Sequence, residues 1–157
     1  MITPNLWFDG KAEEAAEFYV SIFPNSTVDN VHRAAAENPG TGEGQALVVN
    51  FTLDGRPFSG INGGPYFTFN EAISFAINCA DQAETDRYWN ALIANGGSEG
   101  QCGWLKDQYG VSWQVIPRQL GEYLGGSDAD GARRAMQAML EMKKIDVEGL
   151  RKAYLGE

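Results

Sequence analysis

The feature that most constrains this chain is a pattern that occurs twice. Phe18-Tyr19-x-x-Ile22-Phe23-x-Asn25 and Tyr88-Trp89-x-x-Leu92-Ile93-x-Asn95 match at one constant offset, each with an aromatic pair, an apolar pair and a stop. Spacings of three and four residues put those apolar side chains on one helix face. Similarity at a fixed offset marks an internal repeat, and each copy also follows a strand-like segment and precedes a hairpin-rich stretch. Two such units leave two curved sheets, each covered by a helix on one face.

In the first copy, residues 2–8 read as a strand, and Asp9-Gly10 turns the chain into a helix over 11–23 carrying Ala15, Phe18, Tyr19 and Ile22. Pro24-Asn25-Ser26 ends it, because proline cannot continue the hydrogen-bond ladder. A strand over 27–35, a loop over 37–44 and strands over 46–53 and 57–62 follow, the last two joined by Asp54-Gly55, which suits the positive φ angles of a tight hairpin. In the second copy, 73–79 alternates with Phe75 and Ile77 on one side, Asp81 and Glu84 have the spacing of a capping box, and Asn95-Gly96-Gly97 closes the helix. Short strands are expected over 100–105 and 111–117. Beyond Leu120, Gly125-Gly126-Ser127-Asp128 forms a break, a helix over 132–144 carries Met136, Met139, Leu140 and Met142, and a last helix covers 146–154.

The predicted fold is therefore α+β. Two βαβββ modules, 1–66 and 70–118, form one domain over 1–118, and a helical tail occupies 119–157. Pairing the modules about a pseudo-twofold axis gives a cupped mixed sheet with a cavity between its open faces, where a ligand should sit. The Met-rich stripe reads as a packing arm or dimer contact.

Composition narrows the chemistry. The chain has 157 residues, one domain's worth at about 100–200 residues per domain. Twelve Lys+Arg against 21 Asp+Glu give a net charge of −9, so nucleic acid is not an expected partner. Apolar runs stay well short of the ~18 residues of a membrane span, and Met1-Ile2-Thr3-Pro4-Asn5 lacks the features of a signal peptide, so a cytoplasmic location is expected. Cys79 and Cys102 lack the paired spacing of a zinc site, and His32 is the single histidine.

Longer stretches resemble a known family. Thr3-Pro4-Asn5-Leu6-Trp7-Phe8-Asp9-Gly10 with Ala12-Glu13-Glu14-Ala15, then Asn62-Gly63-Gly64-Pro65, Ala72-Ile73-Ser74-Phe75 and Gly103-Trp104-Leu105-Lys106-Asp107-Gln108-Tyr109-Gly110-Val111-Ser112-Trp113-Gln114-Val115 closely resemble the PhnB-like proteins. The tail from Met136 through Lys143-Lys144-Ile145-Asp146 continues the likeness. That family, also labelled 3-demethylubiquinone 3-methyltransferase-like, sits in the vicinal oxygen chelate superfamily of glyoxalases, bleomycin-resistance proteins and extradiol dioxygenases. The resemblance implies the cupped fold and a homodimer. It does not choose an activity, because the superfamily includes metal-dependent isomerases, dioxygenases, epoxide-opening thiol transferases and binding proteins without catalysis.

Metal-using relatives place His or Glu on the first strand of each module and Glu on the last. Here Asp107-Gln108-Tyr109-Gly110 resembles the family's Asp-Pro-Asp-Gly turn, and the residue four past its glycine is Gln114. The matching first-strand positions are Asn5 and Trp7 in module one and Ser74 in module two, with Asn62 at the remaining corner. All are neutral, so no metal ligand is assigned, a divalent metal is disfavoured and no cofactor is expected. Asn5, Trp7, Asn62, Ser74, Cys102, Trp104 and Gln114 are the candidate cavity residues, a mixture of aromatic faces and uncharged hydrogen-bond groups suited to a small organic ligand. Strand alternation sends Trp113 under a helix and Gln114 to the cavity, while Trp104 can serve either as core or as cavity wall.

Other chemistries find less support. Cys102 has no activating histidine in its sequence neighbourhood, Asp9 and Asp107 sit in turns where carboxylates hold backbone, and Glu71 is a third carboxylate that would need desolvation to act as acid or base. His32 on the second strand reads as a surface or structural residue, and Gly40-Thr41-Gly42-Glu43-Gly44 as a hairpin loop rather than a phosphate cradle. The expected function is binding of a small organic molecule, with no catalytic residue assigned. The alternative is a metal-dependent lyase, isomerase or dioxygenase whose metal shell the substrate completes. S-adenosylmethionine-dependent methyl transfer is not expected, since neither alternating βα units nor a glycine-rich turn is present.

Overall fold

The computed structural model describes residues 1–157 and divides the chain into two units, Met1–Phe69 and Asn70–Glu157. In the first, β1 (Asn5–Phe8) and α1 (Ala12–Ile22) precede β2 (Thr27–Arg33), β3 (Ala46–Leu53) and β4 (Arg56–Asn62). The sheet order is β1-β4-β3-β2, with β1 parallel to β4 and the other pairs antiparallel. The Asp54-Gly55 hairpin has φ of 48° and 74° at its two central residues, the geometry that twists two strands into register.

One face of this sheet is apolar and lies under α1. Leu6, Phe8, Val49, Phe51 and Phe58 are buried together with Ala12, Ala15, Ala16 and Tyr19. Phe51 and Phe58 stack at 5.6 Å, and Tyr19 stacks on Phe51 at 6.3 Å. Burying each such aromatic stabilises the unit by about 1.5–3 kcal/mol. Gly60 lets the helix come close, since a Cβ there would already sit 3.1 Å from the Ala12 Cβ.

The second unit repeats the plan with β5 (Phe75–Cys79), α2 (Gln82–Ile93), β6 (Ser98–Glu99), β7 (Trp104–Lys106) and β8 (Ser112–Pro117), in the order β5-β8-β7-β6 with β5 parallel to β8. Asp81 Oδ1 accepts from the Glu84 N–H at 2.9 Å, and Glu84 Oε2 accepts from the Ala80 N–H at 2.7 Å, which confirms the capping box with its return bond one residue earlier. Trp89 and Leu92 are buried, and Asn95 and Gly96 close the helix at φ of 59° and 105°. The strand expected over 100–105 is displaced. Cys102 (φ 57°) and Gly103 (φ 83°) turn the backbone, so β7 begins only at Trp104.

The tail consists of α3 (Arg118–Leu124), α4 (Ala129–Leu140) and α5 (Val147–Leu155), and it belongs with the second unit. Two expectations change here. A short helix stands at α3, where no element was predicted, and α4 stops at Leu140 instead of running to 144. The helix closes with the Glu141 and Met142 N–H groups donating three residues back, to Ala138 O at 3.1 Å and Met139 O at 2.9 Å. The segment beyond it is held from another element, the Cys102 and Gly103 N–H groups donating to Met142 O and Lys143 O, each at 2.8 Å. Gln82 completes the strap. Its Nε2 donates to Ile145 O at 3.0 Å and its Oε1 accepts from the Val147 N–H at 2.8 Å. Fully buried Ile145 then packs with Leu120, Ala135 and Leu150, joined by Met139 and Met142. The other half of the predicted stripe, Met136 and Leu140, is exposed. No helix is long and apolar enough to cross a membrane.

Candidate functional site

Strand alternation leaves the other face of each sheet to present its own residues. In the first unit two rows run across the strands. Asn5, Ser59, Asn50 and Asn30 are register partners in one, and Trp7, Ile61, Val48 and His32 in the other. Three members of the first row are hydrogen-bonded in series: Ser59 Oγ donates to Asn50 Oδ1 and Asn50 Nδ2 to Asn30 Oδ1, both at 2.9 Å. Asn5 at its end is exposed and donates to Thr3 O at 2.9 Å. Trp7 is half-buried and held on two sides, by Nε1 donating to Gly64 O at 2.9 Å and by an edge contact with Phe67 at 4.8 Å. Gly63 is required beneath it, because a Cβ there would collide with the indole. His32 shares the face but lies on the edge strand, three strands and about 14 Å from Trp7.

Asn62 departs from its expected place and is a correction to the candidate set. It has the parity of Phe58 and Gly60, so its side chain goes to the helix side and is only 4% exposed. There Oδ1 accepts from the Ala12 N–H at 2.9 Å and Nδ2 donates to Ala46 O at 2.9 Å. Lys11, the residue before α1, offers no side-chain cap, so Asn62 supplies it from across the sheet. Ser59 and Asn50 were missed in its place. Counting by two along β4 from Phe58 was the available signal, since it separates Ser59 and Ile61 from Phe58 and Asn62.

In the second unit Gln114 lies on the open face, half-buried, with Nε2 donating to Ser74 Oγ at 2.9 Å. Its register partner on β7 is Trp104, which is also half-buried and on the same face, where it lines a hollow. Trp113 points the other way and is buried, its Nε1 donating to Asp107 Oδ2 at 2.9 Å. Asp107 Oδ1 also accepts the Tyr109 and Val111 N–H groups at 2.8 and 3.1 Å, which assigns this carboxylate to holding its turn. Cys102 stands in the turn that binds the tail strap, its N–H donating to Met142 O at 2.8 Å, and like Ser74 and Gln114 it is not among the residues lining the hollow beside Trp104.

That hollow, about 290 Å³, is lined by Glu71, Ser98, Glu99, Gly100, Trp104, Leu105, Lys106 and Ser112. Lys106 pairs with Glu71, and this hydrogen bond holds the Glu71 carboxyl below its usual range, so Glu71 stands as a carboxylate and not as a proton donor. Ser112 is 1% exposed and its Oγ has no hydrogen-bond partner. Lys106 and Ser112 were not singled out from sequence, although both follow by parity from Trp104 and Gln114. In the first unit the loop 40–44 packs on Gly63, where a Cβ on Gly40 would collide with backbone, consistent with a structural loop.

Nowhere do three His, Cys, Asp or Glu side chains come together. The candidate residues Asn5, Trp7, Ser74 and Gln114 offer only amides, a hydroxyl and an indole, with Ser74 and Gln114 bonded to each other; Glu71 is paired with Lys106, Glu99 accepts from Trp89, and His32 stands on the edge strand of the first unit. Such neutral donors do not fit a tightly held divalent ion, which needs carboxylates or imidazoles.

Comparison with known proteins agrees with this architecture. Residues 1–116 match the family model described as 3-demethylubiquinone-9 3-methyltransferase. The PhnB protein from Bacillus cereus shares 36% sequence identity with this chain, covering 74% of it and 98% of the B. cereus chain, with a TM-score of 0.67. A Pseudomonas aeruginosa protein of known structure shows the same fold at 22% identity, with 74% and 96% coverage and a TM-score of 0.61. No protein of curated function matches. With three-quarters of its length matched by both the family model and the B. cereus structure, and with two βαβββ units, the chain belongs to the PhnB, or 3-demethylubiquinone-9 3-methyltransferase-like, family.

Proposed function

We propose that this protein binds a small organic molecule on the open faces of its sheets, using indole rings for contact and neutral groups for orientation. The observation that carries this reading is the pre-set geometry of those groups. Trp7 is locked by Gly63, Gly64 and Phe67, and Gln114 is oriented by Ser74 opposite Trp104. Aromatic surface with a few fixed polar atoms is what recognition of small ligands requires. A metal-dependent isomerase or dioxygenase would need charged donors, and no such set supports it.

Methyl transfer, the activity in the family's name, draws no support from the fold. Nucleotide-type cofactors are commonly held at a glycine-rich turn of a doubly wound parallel sheet. Each sheet here has a single parallel pair, and β1 reaches α1 through Asp9-Gly10-Lys11.

The same reading includes a homodimer, supported by Met136 and Leu140, which stand one turn apart on α4 with about half their surface exposed. The ligand reading is tested by native mass spectrometry of untagged protein. We expect a retained organic mass that survives chelator treatment and is lost in Gln114→Ala and Trp7→Ala. Retention that is indifferent to both substitutions would overturn it.

A further inference from the structure

Building on that ligand-binding reading, we infer that the hollow on the second unit takes the acid group of a small planar organic acid, with Lys106 and Ser112 as its partners and the Trp104 indole as the face for its ring. Ser112 carries the argument. Nearly all buried polar groups in folded proteins are hydrogen-bonded, so an interior hydroxyl with no partner calls for an explanation. This one is on β8 with the parity of Gln114, lines the hollow, and is the register partner of Lys106.

Lys106 indicates what the missing partner is. It already holds a carboxylate, that of Glu71, which reaches it from a segment outside the strands and is mostly exposed. Exposed ion pairs contribute little, so an incoming carboxylate can displace Glu71 from the ammonium. Its second oxygen then accepts the Ser112 hydroxyl hydrogen. Glu99, the other charged residue at the rim, is engaged elsewhere, its Oε1 accepting from Trp89 Nε1 at 3.0 Å. One cation and one hydroxyl match a monoanion, and the net charge of −9 weighs against a multiply charged one. The volume of about 290 Å³ suits roughly a one- or two-ring molecule.

The test compares 2-naphthoate with its neutral isostere 2-naphthamide on the full chain by isothermal titration. The acid should bind about tenfold or more tighter than the amide, as expected for a charge-assisted hydrogen bond. Lys106→Met should abolish that preference, and Glu71→Gln, which removes the competing carboxylate, should strengthen acid binding. Ser112→Ala should weaken acid binding while leaving the melting temperature of the free protein unchanged or higher, because it removes a hydroxyl that has no partner. A merely structural serine would show the reverse, a lower melting temperature with affinity intact, and that result overturns the inference. Equal binding of acid and amide refutes the acid class and leaves the ligand-binding reading standing. Binding of neither probe also refutes it, and the retained-mass experiment then decides the broader reading by itself.

Discussion

Replacing Asn62 by alanine deletes two buried hydrogen bonds at once and leaves both partners inside the first unit. The Ala12 N–H, at the first turn of α1, and the Ala46 carbonyl belong to residues that are themselves buried. An unpaired buried backbone group costs about 1–3 kcal/mol, and loss of a helix cap alone about 1 kcal/mol. Allowing for partial relaxation, Asn62→Ala should destabilise the protein by about 2–4 kcal/mol. Asn62→Asp keeps the acceptor for Ala12 but buries a carboxylate and sets one of its oxygens against the Ala46 carbonyl, so it too should destabilise the protein. Urea denaturation followed by far-UV circular dichroism measures both. Affinity for any ligand of the open face should be unchanged once folding is accounted for. A loss below about 0.5 kcal/mol in the alanine variant, within the range of ordinary surface substitutions, would refute the assignment of Asn62 as a structural cap.

Four further outcomes can be checked. Gly63→Ala should expel the Trp7 indole from its seat, seen as a red-shifted tryptophan emission together with loss of the retained ligand. The Asp86 carboxyl is held below its usual range, chiefly by a hydrogen bond from Lys144 and then by Gln82. Its contribution is therefore complete above the unfolded value of about 3.9 and lost as pH falls through the lower folded value. The melting-temperature gap between wild type and Asp86→Asn should accordingly be present at neutral pH and vanish in strong acid. Deleting residues 127–157 removes Ile145, Ala135 and Leu150 from a core shared with Leu120 and frees the Gln82 amide, so it should lower stability as well as dimer content. Met136→Glu with Leu140→Glu should lower dimer content alone, as read by sedimentation velocity.

Local chemistry was legible wherever one short segment determines its own conformation. Asp54-Gly55 demands positive φ at both turn positions, Asp81 and Glu84 cap the helix that follows them, and the opposite directions of Trp113 and Gln114 follow from simple alternation. Features set by distant partners were not legible. Counting by two from Phe58 turns Asn62 to the helix side, but its role as the cap of α1 depends on Ala12 and Ala46, which lie far from it in sequence. The end of α4 at Leu140 was not legible within 132–144, because the segment that follows it is held by Cys102 and Gly103 on another element. The turn at Cys102, with its positive φ, was not legible for the same reason, since it is bonded to the tail. Lys106 and Ser112 gained their meaning only once the β7–β8 register made them neighbours.

The account stands on recognition by aromatic faces and fixed polar side chains, with no metal needed to hold the ligand. Its most direct test is elemental analysis of untagged protein grown in metal-replete medium, followed by a thermal-shift titration with nickel, zinc and manganese. The account predicts metal far below one equivalent per chain and no saturable shift. Near-stoichiometric metal, or a large saturable shift abolished by Gln114→Ala, would contradict it and make Gln114 a metal ligand.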